Sequence, residues 1–183
     1  LDSLRGTFEG VDNFMFDRFI CAHTIMFSFE GVPAIYIHSL LGTRNDYESI
    51  KKGKENRSIN RFKWEKNKIY KLLSNSKSLN AKILRRIKQI LKIRIKQPAF
   101  HPNSTQFTLN LGNKTFGLWR QDADRTQSIF CITNITKSSE SISLSEINLI
   151  ETEDWFDLLT SKKLKGINDR ITMKPYQTLW ITN

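Results

Sequence analysis

GVPAIYIHSLLGTRNDYESIKKGKENRSINR, residues 31–61, is the stretch on which the fold turns. It opens with a short apolar run, Val32 to Ile37, with Pro33 near its start. Six residues are too few for a helix and suit a strand buried on both faces. Proline is tolerated at a strand's start, where it removes only a peripheral donor. The run stops at His38 and Ser39, and a polar segment follows with Arg44, Asn45, Asp46, Asn56, Arg57, Asn60 and Arg61. A buried parallel strand that empties into a long polar loop is how α/β enzymes build a site, because function gathers at the carboxyl ends of such strands. Arg57 and Arg61 stand four apart. A guanidinium fork suits sugar hydroxyls, carboxylates and phosphates. It equally suits a structural pair with a nearby acid such as Asp46, and spacing leaves both readings open. His38 and Tyr36 stand near the end of the expected strand and either face a pocket or pack inside.

Upstream, Asp12 or Asn13 is expected to cap a helix running to about Phe29, with Phe16, Phe19, Ile20, His23 and Phe27 along one stripe. His23 in that stripe reads as a hydrogen-bonded interface histidine. Glu30 and Gly31 then turn directly into the strand, the αβ half of an α/β repeat. Downstream, a helical turn over Asn45–Lys52, broken by Gly53, and a short helix over Trp64–Leu73 are expected. Leu79–Gln97 shows the clearest helical period: Leu79, Ile83, Ile87, Ile90, Leu91 and Arg94 share a face, and Pro98 stops it. From Thr105 the period falls to two, with strands expected over Gln106–Leu111, Thr115–Arg120 and Ser128–Asn134. Leu144, Ile147, Leu149, Trp155, Leu158 and Leu159 suggest shorter strands and a turn-rich segment. Ile171–Ile181 reads as a closing strand interrupted near Pro175. The fold class is therefore α/β followed by all-β, with no internal repeat and the boundary at Phe100–Ser104.

The chain of 183 residues carries a net charge of +11. Between Lys51 and Lys96 stand 17 Lys and Arg against two acids, so that half is +15 and the remainder −4. Only Phe62, Trp64 and Tyr70 punctuate it, too few aromatics in sequence to stack bases. A solvated helix face is favoured over nucleic-acid binding, and attraction of an anionic substrate is a third reading. Cys21 and Cys131 lie in apolar contexts and read as reduced core residues of a cytoplasmic protein. No metal spacing, secretory signal or apolar run of membrane length occurs.

GVPAIYIHSLLGTRNDYE followed by NRSINR resembles the eighth barrel strand and following loop of the sucrose phosphorylase branch of the α-amylase superfamily, glycoside hydrolase family 13. LRGTFEGVDNFMFDRFICAHTIMFSFEG is similar to that family's seventh barrel helix, QPAFHPN to its exit from the barrel and PYQTLWITN to its last strand. The first residue is Leu1, and a full (β/α)8 barrel needs about 250 residues. The resemblance implies that residues 1–100 are the last strand and helix units of such a TIM barrel and 101–183 a small antiparallel β-sandwich. It implies a retaining α-glucoside phosphorylase that passes a glucosyl group to inorganic phosphate, giving glucose 1-phosphate without a cofactor. Sucrose, sucrose phosphate, glucosylglycerol and glucosylglycerate are substrates in this branch.

By the same resemblance Arg61 helps hold the glucosyl unit beside the catalytic carboxylates. Asn45, Asp46 and Arg57 shape the loop around it, and His38 is a further pocket candidate. The nucleophile, the acid/base and the stabilising aspartate are implied to precede Leu1. Asp2, Glu9, Asp12, Asp17, Glu30, Asp46 and Glu48 match none of those motifs. The isolated chain is thus expected to be inactive, and residues 1 to about 97 poorly stable or aggregation-prone, without the preceding barrel segment as partner. A hydrolase or transglycosylase of the same superfamily, and a basic carbohydrate- or nucleic-acid-binding module, are the alternatives.

Overall fold

The computed structural model describes residues 1–53, 55–147, 154–164 and 170–183. Chain contacts divide it into two compact units. One is Leu1–Ile20 with Ala34–Gln89; the other is Cys21–Pro33 with Ile90–Asn183.

The first unit opens on a 3-10 turn over Asp2–Leu4 and a two-stranded hairpin, β1 (Gly6–Thr7) and β2 (Gly10–Val11). Helix α1 (Met15–Ser28) follows and passes into the second unit. Asp12 anchors its start. One carboxylate oxygen accepts from the Phe14 backbone at 2.9 Å, and the pair binds both terminal nitrogens of Arg18. Arg18 Nε also donates to the Leu4 carbonyl, so the hairpin end and the helix are fastened together. Beyond residues 32–36 come α2 (Ile37–Leu40), α3 (Tyr47–Lys51), a 3-10 turn over Asn56–Asn60, α4 (Lys66–Ser74) and α5 (Leu79–Arg94). Along α5, Ile83, Ile87 and Ile90 are wholly buried while Lys82, Arg85, Lys88 and Lys92 are exposed, as the 3.6-residue period requires.

One expected element differs. Residues 32–36 belong to no helix or strand among the described residues, Tyr36 has extended dihedrals, and Val32 is 80% exposed. A strand is defined by what hydrogen-bonds to it, and an unpaired apolar stretch stays open on both edges. Ile37 is no part of it, since the backbone turns there into α2.

The second unit is mainly antiparallel sheet. β3 (Thr105–Leu109), β4 (Thr115–Gln121) and β5 (Ser128–Asn134) form a meander. β6 (Glu140–Ser143), β7 (Phe156–Asp157), β8 (Lys162–Lys163), β9 (Arg170–Met173) and β10 (Thr178–Thr182) complete it. The six-stranded order is β3-β4-β5-β10-β7-β8, and β6 pairs with β9 separately. The expected single closing strand over Ile171–Ile181 is therefore two strands in two different ladders. Tyr176, at a φ of 55°, makes the turn between them. Leu149, expected in a strand here, lies outside the described residues. Gly117 leaves room in β4 for Leu111, whose Cδ1 would stand 2.6 Å from a Cβ there.

β5 is central and buried on both faces. One face packs Phe130 and Ile132 with Ile142, Ile147, Trp155, Met173, Leu179 and Ile181. The other faces the end of α1 and carries Ile129, Cys131, Leu118, Arg120 and Trp180. Arg120 is fully buried. It donates to the carbonyls of Ser28 at 3.0 Å, His101 at 3.2 Å, Ser104 at 3.3 Å and Thr105 at 3.4 Å. Arg94, the last residue of α5, donates to Phe27 at 2.8 Å and Gly31 at 3.1 Å. Both guanidinium groups lie over the Phe100 ring, and Trp180 Nε1 donates to Ser28 Oγ. Two cations thus satisfy the carbonyls that a helix end leaves unpaired, where the helix dipole favours positive charge.

Burial pushes the Cys21 thiol up to about 11 and the Cys131 thiol up to about 12, from an ordinary 9.0. A thiol that resists ionising in the folded chain favours unfolding once the unfolded chain can ionise. Stability should therefore hold below pH 9 and fall above it, by about 1.4 kcal/mol per pH unit for each thiol. Urea midpoints at pH 8 and pH 10.5 test this. The drop should shrink in a Cys131→Ala variant, and an equal drop in both proteins would contradict it.

Candidate functional site

The local chain folds back on itself after residue 36. Asp46 caps α3 by accepting from Ser49 N at 3.0 Å and Ser49 Oγ at 2.6 Å. The Asp46 amide donates to the Ile59 carbonyl at 2.6 Å, which closes the loop at its base. Tyr36 Oη donates to the Asn60 carbonyl at 3.1 Å. The 3-10 turn is in this way returned to Tyr36, with Arg61 next in the chain. Gly42, at a φ of 59°, lets the backbone run against α5, since a Cβ there would meet Ile83 Cδ1 at 2.7 Å. Asn80 of α5 fastens the same turn, donating to Leu41 O at 2.7 Å and Gly42 O at 3.2 Å.

Two clefts result. One, of about 230 Å³, is lined chiefly by Tyr36, His38, Thr43, Arg44, Asn45 and Asn60. The other, of about 280 Å³, shares Thr43, Arg44 and Asn45 and adds Phe62, Trp64, Leu72 and Asn80. Thr43 is buried and joins them. Its hydroxyl accepts from Trp64 Nε1 at 2.8 Å and lies 3.1 Å from His38 Nδ1. An indole nitrogen can only donate, so the Thr43 proton remains available to the imidazole. Where Thr43 donates to Nδ1, the histidine's own proton sits on Nε2.

Of the five residues singled out by sequence, His38 and Asn45 are brought together on the smaller cleft. Asp46 is occupied as a helix cap. Arg57 is exposed and paired with Glu55 rather than with Asp46. Arg61 caps the 3-10 turn through its amide, which donates to Ser58 O at 3.1 Å, and its side chain is exposed. Asp46, Arg57 and Arg61 are not among the residues lining either cleft. Arg44 was passed over, although it is the first cation after the apolar run and lines both clefts. Its Nε pairs with Asp2 at 2.5 Å. Thr43 and Trp64 carried no sequence signal, because their roles come from a contact between residues 21 apart.

The nearby carboxylates are committed: Asp2 to Arg44 and Asn45, Asp46 to Ser49, Asp12 to Arg18. The clefts mix polar and apolar side chains, and of their donors Tyr36, Trp64 and Asn80 are already paired within the chain. Among the described residues no cluster of His, Cys, Asp and Glu could hold a metal ion, and no helix is long and apolar enough to cross a membrane.

No protein-family model matches the chain. It is 33% identical over 165 residues to a glucosylglycerate phosphorylase of Escherichia coli, covering 90% of this chain and 28% of that protein. The chain is similar to the C-terminal part of glucosyl phosphorylases of the α-amylase family. A second phosphorylase of the same name, from Allomeiothermus silvanus, is 34% identical over 164 residues, covering 90% of this chain and 26% of that one. A sucrose 6(F)-phosphate phosphorylase of Thermoanaerobacterium thermosaccharolyticum matches 46% of the chain at 32% identity and 16% of its own length. The chain therefore spans between a quarter and a third of the length of the glucosylglycerate phosphorylases. Among solved structures, AmyP in complex with maltotriose superposes with a TM-score of 0.75 at 15% identity, over 97% of this chain and 36% of that one. The α-amylase from Geobacillus thermoleovorans follows at 0.68 and 15%, over 91% of this chain and 33% of that one. These likenesses show the fold alone, one shared with about a third of each of those chains and consistent with the C-terminal part of a TIM-barrel protein.

Proposed function

We propose that this chain is the C-terminal part of a retaining α-glucoside phosphorylase acting on glucosylglycerate. The observation that carries the reading is the 33% identity to a glucosylglycerate phosphorylase across nine-tenths of the chain. In this reading residues 1–100 complete a (β/α)8 barrel and residues 101–183 form a β-sandwich domain. The unpaired edges of residues 32–36 receive neighbouring barrel strands, and Tyr36, His38 and Asn45 stand at the strand's carboxyl end. Arg61, in the NRSINR segment, holds the glucosyl unit, with Arg57 and Asp46 setting the loop that carries it.

The chemistry needs two carboxylates supplied from outside these residues. One displaces the aglycone and forms a glucosyl-enzyme. The other protonates the leaving oxygen, then deprotonates inorganic phosphate as a phosphate oxygen attacks the anomeric carbon. The product is glucose 1-phosphate, and no cofactor takes part. Cytoplasmic location fits two buried, reduced cysteines.

The test is made on the full-length protein. Incubated with glucosylglycerate, it should release glucose 1-phosphate only when inorganic phosphate is present. Release of free glucose without phosphate would assign a hydrolase instead. Sucrose, sucrose phosphate and glucosylglycerol complete the panel and should be slower.

A further inference from the structure

The acceptor side of the proposed reaction has its own cue, in the way Arg44 is held. Arg44 Nε lies 2.5 Å from one oxygen of Asp2, and the other Asp2 oxygen accepts from Asn45 N at 2.6 Å. The Asp2 side chain is 7% exposed and that of Arg44 50% exposed. Among the described residues Nη1 and Nη2 of Arg44 have no hydrogen-bond partner. A buried carboxylate therefore grips the guanidinium by its inner edge. The two terminal nitrogens are left open at the clefts that Arg44 lines. A planar fork fixed in this way presents two parallel donors, the geometry that takes a carboxylate or a phosphate in bidentate fashion. Arg57 lacks these features: it is tied to Glu55 and borders neither cleft.

Resting on the phosphorylase reading, we infer that Arg44 is the anion-reading residue of the acceptor site. It takes either the carboxylate of a glycerate aglycone or the inorganic phosphate that replaces it. In a retaining mechanism the aglycone leaves and phosphate enters from the same side of the anomeric carbon, so one fork can serve both. The cationic excess over residues 51–96 raises the local concentration of either anion before it binds.

The experiment titrates glycerate and inorganic phosphate calorimetrically into the full-length protein, wild type and Arg44→Gln, with Lys88→Gln as a matched loss of charge. Arg44→Gln should weaken binding by about 10- to 100-fold. Weakening of glycerate alone assigns the carboxylate. Weakening of phosphate, alone or with glycerate, assigns the phosphate. Unchanged titrations overturn the inference, as does an equal loss in Lys88→Gln, which would reduce the effect to net charge. If Arg44→Gln fails to fold, Arg44→Lys keeps the charge and loses the fork. It should show weakened anion binding with an unaltered melting temperature; wild-type binding would overturn the inference. Turnover is read separately. A wild-type protein that phosphorolyses no α-glucoside sinks the phosphorylase reading, while the titration still decides Arg44. Where turnover is present and the carboxylate is the ligand, KM for glucosylglycerate should rise in Arg44→Gln and KM for glucosylglycerol should not.

Discussion

Replacing Arg120 with alanine should destabilise the protein by about 3–5 kcal/mol. The fully buried guanidinium donates to four backbone carbonyls, on Ser28, His101, Ser104 and Thr105. Alanine would remove the side-chain donor from all four oxygens, of which His101 O keeps the Ser104 amide at 3.0 Å, and open a cavity beside Phe100. Burial lowers the arginine's own affinity for its proton, so the site already carries a desolvation cost, and only complete pairing offsets it. Arg120→Lys should recover part of the loss, since an ammonium cannot reach four carbonyls spread around a plane. Urea denaturation measures both variants. A midpoint for Arg120→Ala within about 1 kcal/mol of wild type would mean that water replaces the side chain at little cost.

Arg61→Ala in the full-length protein should lower kcat/KM for phosphorolysis by about 100- to 1000-fold, the usual loss when one preorganised charged donor is removed from a reacting sugar. Arg61 is exposed and, among the described residues, is held by the hydrogen bond its amide donates to Ser58 O, so the melting temperature should stay near that of wild type. Arg61→Lys should restore a small part of the activity. A fall of less than fivefold with an intact fold would place Arg61 outside the glucosyl pocket and leave the cleft donors His38, Arg44 and Asn45 as the sugar-facing set.

Where local pattern and tertiary packing agree, the sequence was a sufficient guide. Ser128–Asn134 was expected as a strand and is one over the same residues, because its apolar content suits a strand covered on both sides. The α5 period was equally plain, but the helix ends at Arg94, three residues short of the expected Gln97, and Pro98 opens a 3-10 turn instead of ending the helix. The buried strand expected over Val32–Ile37 is not formed: residues 32–36 lie in no ladder among the described residues, and Ile37 begins α2. Backbone propensity is written in a segment, but its pairing partners are not. The split of 171–181 into two ladders also depends on which distant strand each half meets. Arg94 carried an unused clue: it sits on the apolar face of α5, four residues after Ile90, where a lysine-rich helix would otherwise place a solvated side chain. Arg120 shares its face of β4 with Phe116 and Leu118. A cation in register with buried residues points to buried acceptors. At the candidate site, composition and motif singled out Asn45 and His38, whereas Arg44 was visible only once Asp2 was seen beneath it.

The bond between Arg120 and the Ser28 carbonyl spans 92 residues of chain, and that between Trp180 and Ser28 Oγ spans 152. A ribosome adds about 5–20 residues per second. The end of α1 therefore emerges some 5–18 s before its arginine lid is synthesised, and longer still before Trp180 arrives. For that interval the Ser28 carbonyl and hydroxyl have only water, although Arg94, made earlier, can already reach the Phe27 and Gly31 carbonyls. A nascent chain halted between codons 30 and 120 should be a ready client for a holdase chaperone, and release should coincide with completion of β10.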